Sequence, residues 1–376
     1  MKVLLINPWE GEVFPSPSIG YLQAAIKTAR PDIRVEAKDL TEAISALNTI
    51  HYDLVAVSFH SFSVKHARMI RSLVKGRLIC GGHHPSLLPA QMLSIGYDQV
   101  VIGEGESAIV DIIEGNNSPT IKEFEKRFVT INDIPFPDYT GLKYDGTMGL
   151  PIISSRGCPF ECNFCASSLF WNRKWRGRSH ENVASEIFRN SMKGIKTFMF
   201  EDDNFTLYKK RAIEICNAIR GHGFIWQCAS RADVLNDEEL CRELYSAGCR
   251  TVWLGVESLS EGSLARAGKK IEVREILSGI KTAEKTGLHT MSQFIVGLPG
   301  DTEADILETV KNMKGSRISR RGCNVAWILP GTNVHKKAVE QGFDDEIYLT
   351  SGAPYYTYEH DINTLLHWSN LINSAK

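Results

Sequence analysis

Three cysteines lie close together near the middle of the chain, at Cys158, Cys162 and Cys165. Their spacing, three residues and then two, lets three thiolates turn toward one centre, as a soft metal ion or an iron–sulfur cluster requires. A zinc site normally has a fourth cysteine or histidine at ligand spacing, and the next candidates, His180 and Cys216, are distant in the sequence. A four-iron cluster held by three cysteines leaves one iron open for a substrate. The spacing therefore favours a catalytic cluster, with structural zinc as the alternative.

The remaining cysteines and the overall composition narrow the class of protein. The chain has nine cysteines among 376 residues, 43 basic against 44 acidic residues and 43% hydrophobic residues. This balance is typical of a globular protein and excludes a nucleic-acid-wrapping or disordered one. We find no signal peptide and no apolar run that could span a bilayer, so we expect a cytoplasmic protein with reduced thiols. Six cysteines lie in apolar strands or on helices and are interpreted as packing residues: Cys80, Cys216, Cys228, Cys241, Cys249 and Cys323.

The first part of the chain alternates short apolar runs with amphipathic stretches. Runs at 3–6, 54–59, 78–80 and 100–102 predict buried strands, and 18–29 and 64–74 predict helices. This order predicts a doubly wound, Rossmann-like parallel sheet, which binds ligands beyond the carboxyl ends of its strands. We place this domain at residues 1–118. A connector rich in proline and glycine follows at 119–147.

From residue 148 to 343 a strand-then-helix pattern repeats six times. The predicted strands are 152–154, 197–200, 225–229, 251–254, 290–296 and 324–328, and the predicted helices are 181–192, 209–221, 238–247, 274–286, 303–314 and 334–341. Asp237 and Thr302, the latter with Asp305 three residues on, are expected to cap two of these helices. Six such units predict a partial (β/α)6 barrel of the TIM type, whose chemistry lies on the loops after the strands. Residues 344–376 form a short aromatic tail.

The cysteine motif follows the first strand of this barrel, and in that position it resembles the radical S-adenosylmethionine superfamily. The resemblance implies a 4Fe–4S cluster on the three cysteines and S-adenosylmethionine at its open iron. An acidic motif after the second strand would receive the amino group, an arginine after the third the carboxylate, and a glutamate after the fourth the ribose. The implied S-adenosylmethionine contacts are Phe164, Glu201, Asp202, Asp203, Ser230, Arg231, Glu257, Gly297 and Pro330.

Together with the first domain, two glycine-rich turns resemble the cobalamin-binding subfamily of these enzymes. The implied cobalamin contacts are Ser58, Gly81, Gly82, His83, His84, Pro85, Gly103, Glu104 and Gly105. The Asp-x-His-x-x-Gly motif that gives cobalt a lower histidine in other cobalamin proteins is missing from this sequence. His83 and His84 are therefore either cobalt ligands or residues that order the turn, and a domain that has lost its cofactor is the further alternative.

The resemblance implies reductive cleavage of S-adenosylmethionine to a 5′-deoxyadenosyl radical and, with cobalamin, methylation of an unactivated carbon. The alternatives are a radical cyclase, oxidoreductase or rearrangement enzyme that does not methylate, an enzyme with an empty first domain, and a metal-binding module without activity. An external one-electron reductant of the flavodoxin or ferredoxin type is the expected partner. Neither nucleic acid nor a membrane is indicated as a partner, and the substrate, a small molecule or a peptide, is not identified by the sequence.

Overall fold

A computed structural model describes residues 1–9, 15–121, 128–316, 318 and 320–375. The chain forms two compact units. The first consists of Met1–Met148 with Asp344–Pro354, and the second of Gly149–Phe343 with Tyr355–Lys376. Within the described ranges, no helix is both long enough and apolar enough to cross a membrane.

The first unit is built on a six-stranded parallel sheet in the order β2-β1-β3-β4-β5-β6. Its strands are β1 (Lys2–Asn7), β2 (Arg34–Asp39), β3 (Leu54–Ser58), β4 (Arg77–Gly81), β5 (Gln99–Val101) and β6 (Thr120–Ile121). Its helices are α1 (Pro17–Ala29), α2 (Leu40–Thr49), α3 (Ala67–Leu73), α4 (His83–Leu87), α5 (Pro89–Ser94) and α6 (Glu106–Ile113). The predicted Rossmann-like sheet is thereby confirmed.

Two strands of this sheet have no counterpart among the predicted strands. The strand β2 has the polar sequence Arg-Val-Glu-Ala-Lys-Asp and is mostly half-buried, because it lies at the edge of the sheet and pairs only with β1. The two-residue strand β6 pairs with β5 at the other edge, at the start of the predicted connector. Residues 122–127 of that connector lie outside the described residues.

The segment 344–354 of the predicted tail packs on the first unit. The ring of Tyr348 is fully buried and lies 5.1 Å from the ring of His84, centroid to centroid. Gln91 donates from Nε2 to the carbonyl oxygen of Asp345 (2.7 Å). These contacts tie this segment to the turn that follows β4.

The second unit contains a six-stranded parallel sheet in the order β7-β10-β11-β12-β13-β14 and an antiparallel pair, β8 with β9. The strands are β7 (Leu150–Ile152), β8 (Ser155–Arg156), β9 (Arg176–Gly177), β10 (Thr197–Phe200), β11 (Ile225–Arg231), β12 (Cys249–Glu257), β13 (His289–Val296) and β14 (Arg321–Val325). The helices are α7 (Ser167–Phe170), α8 (His180–Ser191), α9 (Lys209–Ile219), α10 (Glu238–Ser246), α11 (Glu261–Arg266), α12 (Val273–Lys285), α13 (Glu303–Met313), α14 (Asn333–Glu340) and α15 (Ile362–Ser374). The six repeated units of the predicted partial barrel are confirmed.

Local signals place the helix starts. Asp237 accepts a hydrogen bond from the backbone of Leu240 at the start of α10, and Thr302 and Asp305 form a reciprocal capping box at the start of α13. The predicted caps are therefore confirmed. The short helix α11 lacks the length of a barrel helix and was not predicted.

The long strands of the second unit bury one face completely. Along β12, Val252 and Leu254 are fully buried, whereas Thr251 and Trp253 are half-buried. Side chains of a strand alternate between its two faces, so one face is sealed and the other is partly accessible. The half-buried residues Thr251 and Trp253 lie on the second face.

Candidate active site

The three cysteines lie on the loop between β8 and α7, and Asn163 fixes this loop. Its backbone donates to the carbonyl of Ala267 (2.9 Å), and its Nδ2 donates to the carbonyl of Arg266 (2.6 Å). Asn333 in turn donates from Nδ2 to the Asn163 side-chain oxygen (2.7 Å) and from its backbone to the Asn163 carbonyl (3.0 Å). The loop is thus anchored to two other loops of the same unit before any metal binds.

The cysteine thiols are half-buried and unbridged. Burial raises the pKa of all three, that of Cys165 to about 11. For Cys162 the positive charges of Lys269 and Arg231 oppose this rise. Thiolates are the ligands that iron–sulfur clusters require, so metal binding must displace these protons, and the nearby cations favour that displacement.

No group of three His, Cys, Asp or Glu side chains within the described ranges is close enough to hold a single metal. Three thiolates on one loop would serve as ligands of an iron–sulfur cluster. Half-buried thiols on one anchored loop beside cations fit such a cluster.

Asp203 connects the end of β10 to the cluster loop. It accepts a hydrogen bond from the backbone of Gly157 (3.1 Å), the residue before Cys158, and another from the Ser167 hydroxyl group just after Cys165. One carboxylate therefore spans both ends of the cysteine motif. Burial raises the pKa of Asp203, and these two bonds oppose the rise.

Asp202 is enclosed by the end of the first barrel strand. Its carboxylate accepts from the backbone of Ser154 (2.7 Å), the Ser154 hydroxyl group (2.6 Å) and the Ser155 hydroxyl group. Only 2% of the residue is exposed. Asp202 therefore joins two strand ends, and its role as an S-adenosylmethionine contact remains a prediction.

Glu201 is the member of the acidic motif that remains available. Among the described residues, none forms a hydrogen bond or ion pair with its side chain. Burial, and secondarily the neighbouring charge of Asp202, raises the pKa of Glu201 to about 7. A half-buried carboxylate without a cation is costly, and a bound ammonium group would relieve that cost.

Arg231 lies at the carboxyl end of β11 beside the cluster loop. Its guanidinium group lies 4.1 Å above the ring of Phe160, which is within the cysteine motif. Asp233 pairs with the guanidinium at 3.1 Å, and the carbonyl oxygen of Lys269 accepts a hydrogen bond from it at 3.2 Å. The group is therefore held in place next to the cluster loop with its charge partly compensated.

Glu257 ends β12 and forms a buried ion pair with Lys269. The Nζ–Oε1 distance is 2.7 Å, and both side chains are under a tenth exposed. Glu257 has φ 66°, in the left-handed region, which costs a non-glycine residue about 1–2 kcal/mol. A Cβ atom at Gly255 would crowd both charged groups, so a side chain there would have to displace the ion pair. The same two charges act on the Cys162 thiol.

The other predicted S-adenosylmethionine contacts follow strand ends or lie on the cluster loop. Phe164 is half-buried on that loop, and Ser230 shares a short hydrogen bond with Thr206. Gly297, after β13, has φ 78° and is covered by Leu365 of α15, while Pro330 is buried. Their placement as cofactor contacts remains a prediction.

In the first unit, the predicted cobalamin residues form two turns at the carboxyl ends of β4 and β5. Gly82 has φ 96°, and its missing Cβ lets the first turn lie against the carbonyl of Phe59. Gly103 has φ 86°, and a Cβ there would have no atom within 4 Å. One turn is thus packed and the other faces open space, as a cradle for a large ligand must.

The side chains around these turns differ in burial. Both ring nitrogens of the buried His84 are hydrogen-bonded, Nδ1 to the Ser61 hydroxyl (3.1 Å) and Nε2 to Gln91 Oε1 (2.8 Å). The other candidates are half-buried except for buried Pro85: Ser58, Gly81, His83, Glu104 and Gly105. Burial lowers the pKa of His83 to about 4.

Sequence reasoning missed the residues that position the predicted ones. Asn163 lies inside the cysteine motif, where the cysteines alone carried the interpretation, and Lys269 and Phe160 act through contacts distant in sequence. A lysine pairing with the strand-end Glu257 could have been sought, because a buried carboxylate needs a partner. No local pattern selects Lys269 over the adjacent Lys270.

The second unit carries a three-cysteine loop after β8, and the first unit carries glycine turns after strands of its own parallel sheet. The radical SAM superfamily model matches residues 152–313, and the B12 binding domain model matches residues 15–113. The chain therefore contains a radical SAM domain, preceded in the sequence by a B12-binding domain. Its cofactors are a 4Fe–4S cluster, S-adenosylmethionine and cobalamin.

Similar proteins include methyltransferases and cyclases. The chain is 29% identical to an uncharacterized methyltransferase of Pyrococcus horikoshii, over 98% of this chain and 89% of the relative. It is 26% identical to the anaerobic magnesium-protoporphyrin IX monomethyl ester cyclase of Rubrivivax gelatinosus, over 78% and 60% respectively. The fold matches that of TsrM, a radical S-adenosylmethionine methyltransferase of Kitasatospora setae, with a TM-score of 0.73, 19% identity and coverage of 90% and 78%.

Proposed function

We propose that this enzyme methylates an unactivated carbon of its substrate, using cobalamin as the methyl carrier. The observation that carries the proposal is the combination, in one chain, of an anchored three-cysteine loop and an open glycine turn on a cobalamin-type sheet. When bound, the cofactors supply a 5′-deoxyadenosyl radical for hydrogen abstraction and a methyl group for transfer. The protein's contribution is to bind, orient and exclude water.

Each predicted contact has a physical role in this proposal. Cys158, Cys162 and Cys165 hold three irons of the cluster. The available carboxylate of Glu201 receives the ammonium group of S-adenosylmethionine, and Arg231 contributes a guanidinium for its carboxylate. Ser230, Gly297, Pro330 and Phe164 line the adenosine side, and Glu257 with its partner Lys269 faces the ribose hydroxyl groups. Asp202 and Asp203 act indirectly, by holding the loops on which these groups lie.

In the first unit, the turns at 81–85 and 103–105 would support cobalamin. Backbone atoms without a covering Cβ at Gly103 allow a large flat ligand to approach closely. Ser58 and Glu104 offer polar atoms at the same strand ends. His84 orders the first turn through its two hydrogen bonds.

A radical cyclase is the second candidate, because the chain resembles the Rubrivivax gelatinosus cyclase as well as methyltransferases. The two candidates share cluster, S-adenosylmethionine and cobalamin-type domain. They differ in whether the methyl group of S-adenosylmethionine reaches the substrate.

An external one-electron donor is the proposed protein partner. Exposed basic residues Lys174 and Arg176 follow the cluster loop, and the backbone of Lys174 packs directly against Gly157, beside Cys158. An acidic carrier of the flavodoxin or ferredoxin type fits this charge. We propose the cytoplasm as the compartment, since all nine cysteines are unbridged.

The test does not require the unknown substrate. The full chain is reconstituted anaerobically with iron, sulfide and cobalamin, reduced, and supplied with S-adenosylmethionine carrying a deuterated methyl group. We expect 5′-deoxyadenosine from uncoupled cleavage and deuterated methyl on the bound cobalamin, with Cys162→Ala losing the first product. Cleavage without methylated cobalamin would favour the cyclase, and equal turnover by Cys162→Ala would refute the radical proposal.

A further inference from the structure

The crevice of the first unit has an aromatic group at its centre. In the strand order β2-β1-β3-β4-β5-β6, β2 lies on one side of β1 and β3 on the other, so the strand order reverses between β1 and β3. Open parallel sheets bind ligands at such a switch point. Trp9 lies two residues beyond the end of β1, and His60 lies two residues beyond the end of β3. These two residues therefore occupy the position where a ligand of this sheet is expected.

Three rings meet at this point. The centroids of Trp9 and His60 are 4.9 Å apart with an interplanar angle of 67°, and Phe62 lies 6.2 Å from Trp9 and 5.9 Å from His60. The backbone of His60 is fixed, because its carbonyl oxygen accepts from the backbone (3.0 Å) and hydroxyl group (3.2 Å) of Ser63. The turn thus holds the backbone of His60 in place, and the imidazole contacts the rings of Trp9 and Phe62.

His60 differs from His84 in the hydrogen bonds of its ring. Its Nδ1 atom is buried and has no hydrogen-bond partner in the described part of the chain. His84, by contrast, uses both nitrogens within the protein. Buried polar atoms are nearly always paired, and an exception points to a missing water, ion or ligand. Rotation of the imidazole about its Cβ–Cγ bond would turn a nitrogen toward the crevice without moving the backbone.

We propose that His60 coordinates the cobalt of bound cobalamin through an imidazole nitrogen. The inference rests on the proposed function, because it requires cobalamin in this domain. It assigns the metal contact to the residue at the switch point and leaves His84 as an ordering residue. Trp9 and Phe62, whose rings lie against His60, would then help to exclude water from this metal contact.

The experiment tests directly whether a histidine nitrogen is bound to cobalt. The full chain, labelled with ¹⁵N-histidine or unlabelled and with its cluster oxidised, is loaded with cob(II)inamide, which lacks the nucleotide base of cobalamin. We expect each cobalt line of the electron paramagnetic resonance spectrum to show a three-line nitrogen splitting in unlabelled protein and a two-line splitting in labelled protein. His60→Phe should lose the splitting and bind cobinamide at least about tenfold more weakly.

His51→Phe is the matched control, because His51 is exposed and precedes β3, at the opposite end of the strand. It should keep both splitting and affinity. Cobinamide binding without nitrogen splitting, or splitting that survives in His60→Phe, would overturn this inference alone. Failure of the wild type to bind either cobinamide or cobalamin would overturn it together with the cobalamin part of the proposed function. If His60→Phe does not fold, the labelled wild-type spectra still show whether any histidine binds cobalt, and the absence of nitrogen splitting there overturns the inference.

Discussion

Glu201→Gln separates binding from stability at one residue. The substitution keeps the shape of the side chain and removes its charge. A charge-assisted hydrogen bond contributes about 1.5–3 kcal/mol, so losing the one to the ammonium group should weaken S-adenosylmethionine binding about 10- to 150-fold. Among the described residues no cation pairs with the wild-type carboxyl group, and its pKa is raised to about 7. The variant should therefore also be more stable at pH 8.

The pH dependence of S-adenosylmethionine binding and of stability gives a second test of the role of Glu201. With a pKa of about 7, Glu201 is mostly neutral at pH 6 and half ionised at pH 7, so wild-type affinity should fall about fivefold between pH 7 and pH 6. Between pH 6 and pH 7 the α-amino group of S-adenosylmethionine stays mostly protonated, because an α-amino group titrates at about 7.7–8.0. The change in affinity therefore reports on Glu201. A carboxyl group with a raised pKa also costs stability as pH rises from its unfolded value toward 7. Glu201→Gln should remove both trends.

Calorimetric titration of reconstituted protein with S-adenosylmethionine measures the affinity, and thermal unfolding measures the stability. Glu308→Gln, an exposed site on α13, is the control and should change neither. If Glu201→Gln binds within about twofold of the wild type, or keeps the pH dependence, then the carboxylate does not meet the ammonium group and the reasoning is wrong.

Three further predictions follow from contacts in the two units. Lys269→Met leaves the buried Glu257 unpaired and should lower the free energy of unfolding by about 3–5 kcal/mol, most of it recovered in the double variant with Glu257→Gln; additive losses in urea denaturation would contradict the pairing. Gly103→Ala should cost about 1 kcal/mol of stability, because its φ of 86° disfavours a side chain, and should weaken cobalamin binding in an absorbance titration; an unchanged affinity would place the ligand elsewhere. Lys174→Glu should slow S-adenosylmethionine cleavage at least about threefold with an acidic flavodoxin but not with dithionite. The control Lys193→Glu, before β10 at the amino end of the sheet, should have no effect. Equal slowing of Lys174→Glu with both reductants would contradict a docking role.

The repeating strands and helices could be predicted from sequence because their burial produces a period. Strands such as β13, with one face fully buried, appear as apolar runs, and α13 carries its capping box in the sequence itself. The edge strand β2 has no such signal, because its exposed side lets polar residues alternate with Val35 and Ala37. Its pairing with β1 is a backbone property that composition does not record.

The candidate site also has one part that the sequence predicts and another that it does not. The cysteine spacing identifies the cluster loop without a structure, but the acidic motif does not reveal how its three carboxylates differ. Asp202 is bonded to the Ser154 backbone, Asp203 reaches Gly157, and Glu201 has no partner among the described residues. Those differences arise where strand ends meet, through contacts 46–48 residues apart in sequence. Only the fold shows which carboxylate can receive a ligand.

Backbone strain gives an independent indication of which strand-end side chain has a function. The chain turns with a positive φ after several strands, and at Gly82, Gly103 and Gly297 glycine adopts this conformation without a Cβ penalty. Glu257 makes the same turn with φ 66° and carries the penalty. Glycine at this position would relieve the backbone but remove the carboxylate that pairs with Lys269 near Cys162. The strain is therefore explained if the carboxylate is needed at this place, and a pair of opposite charges beside the cluster loop can orient polar groups of a bound cofactor without adding net charge.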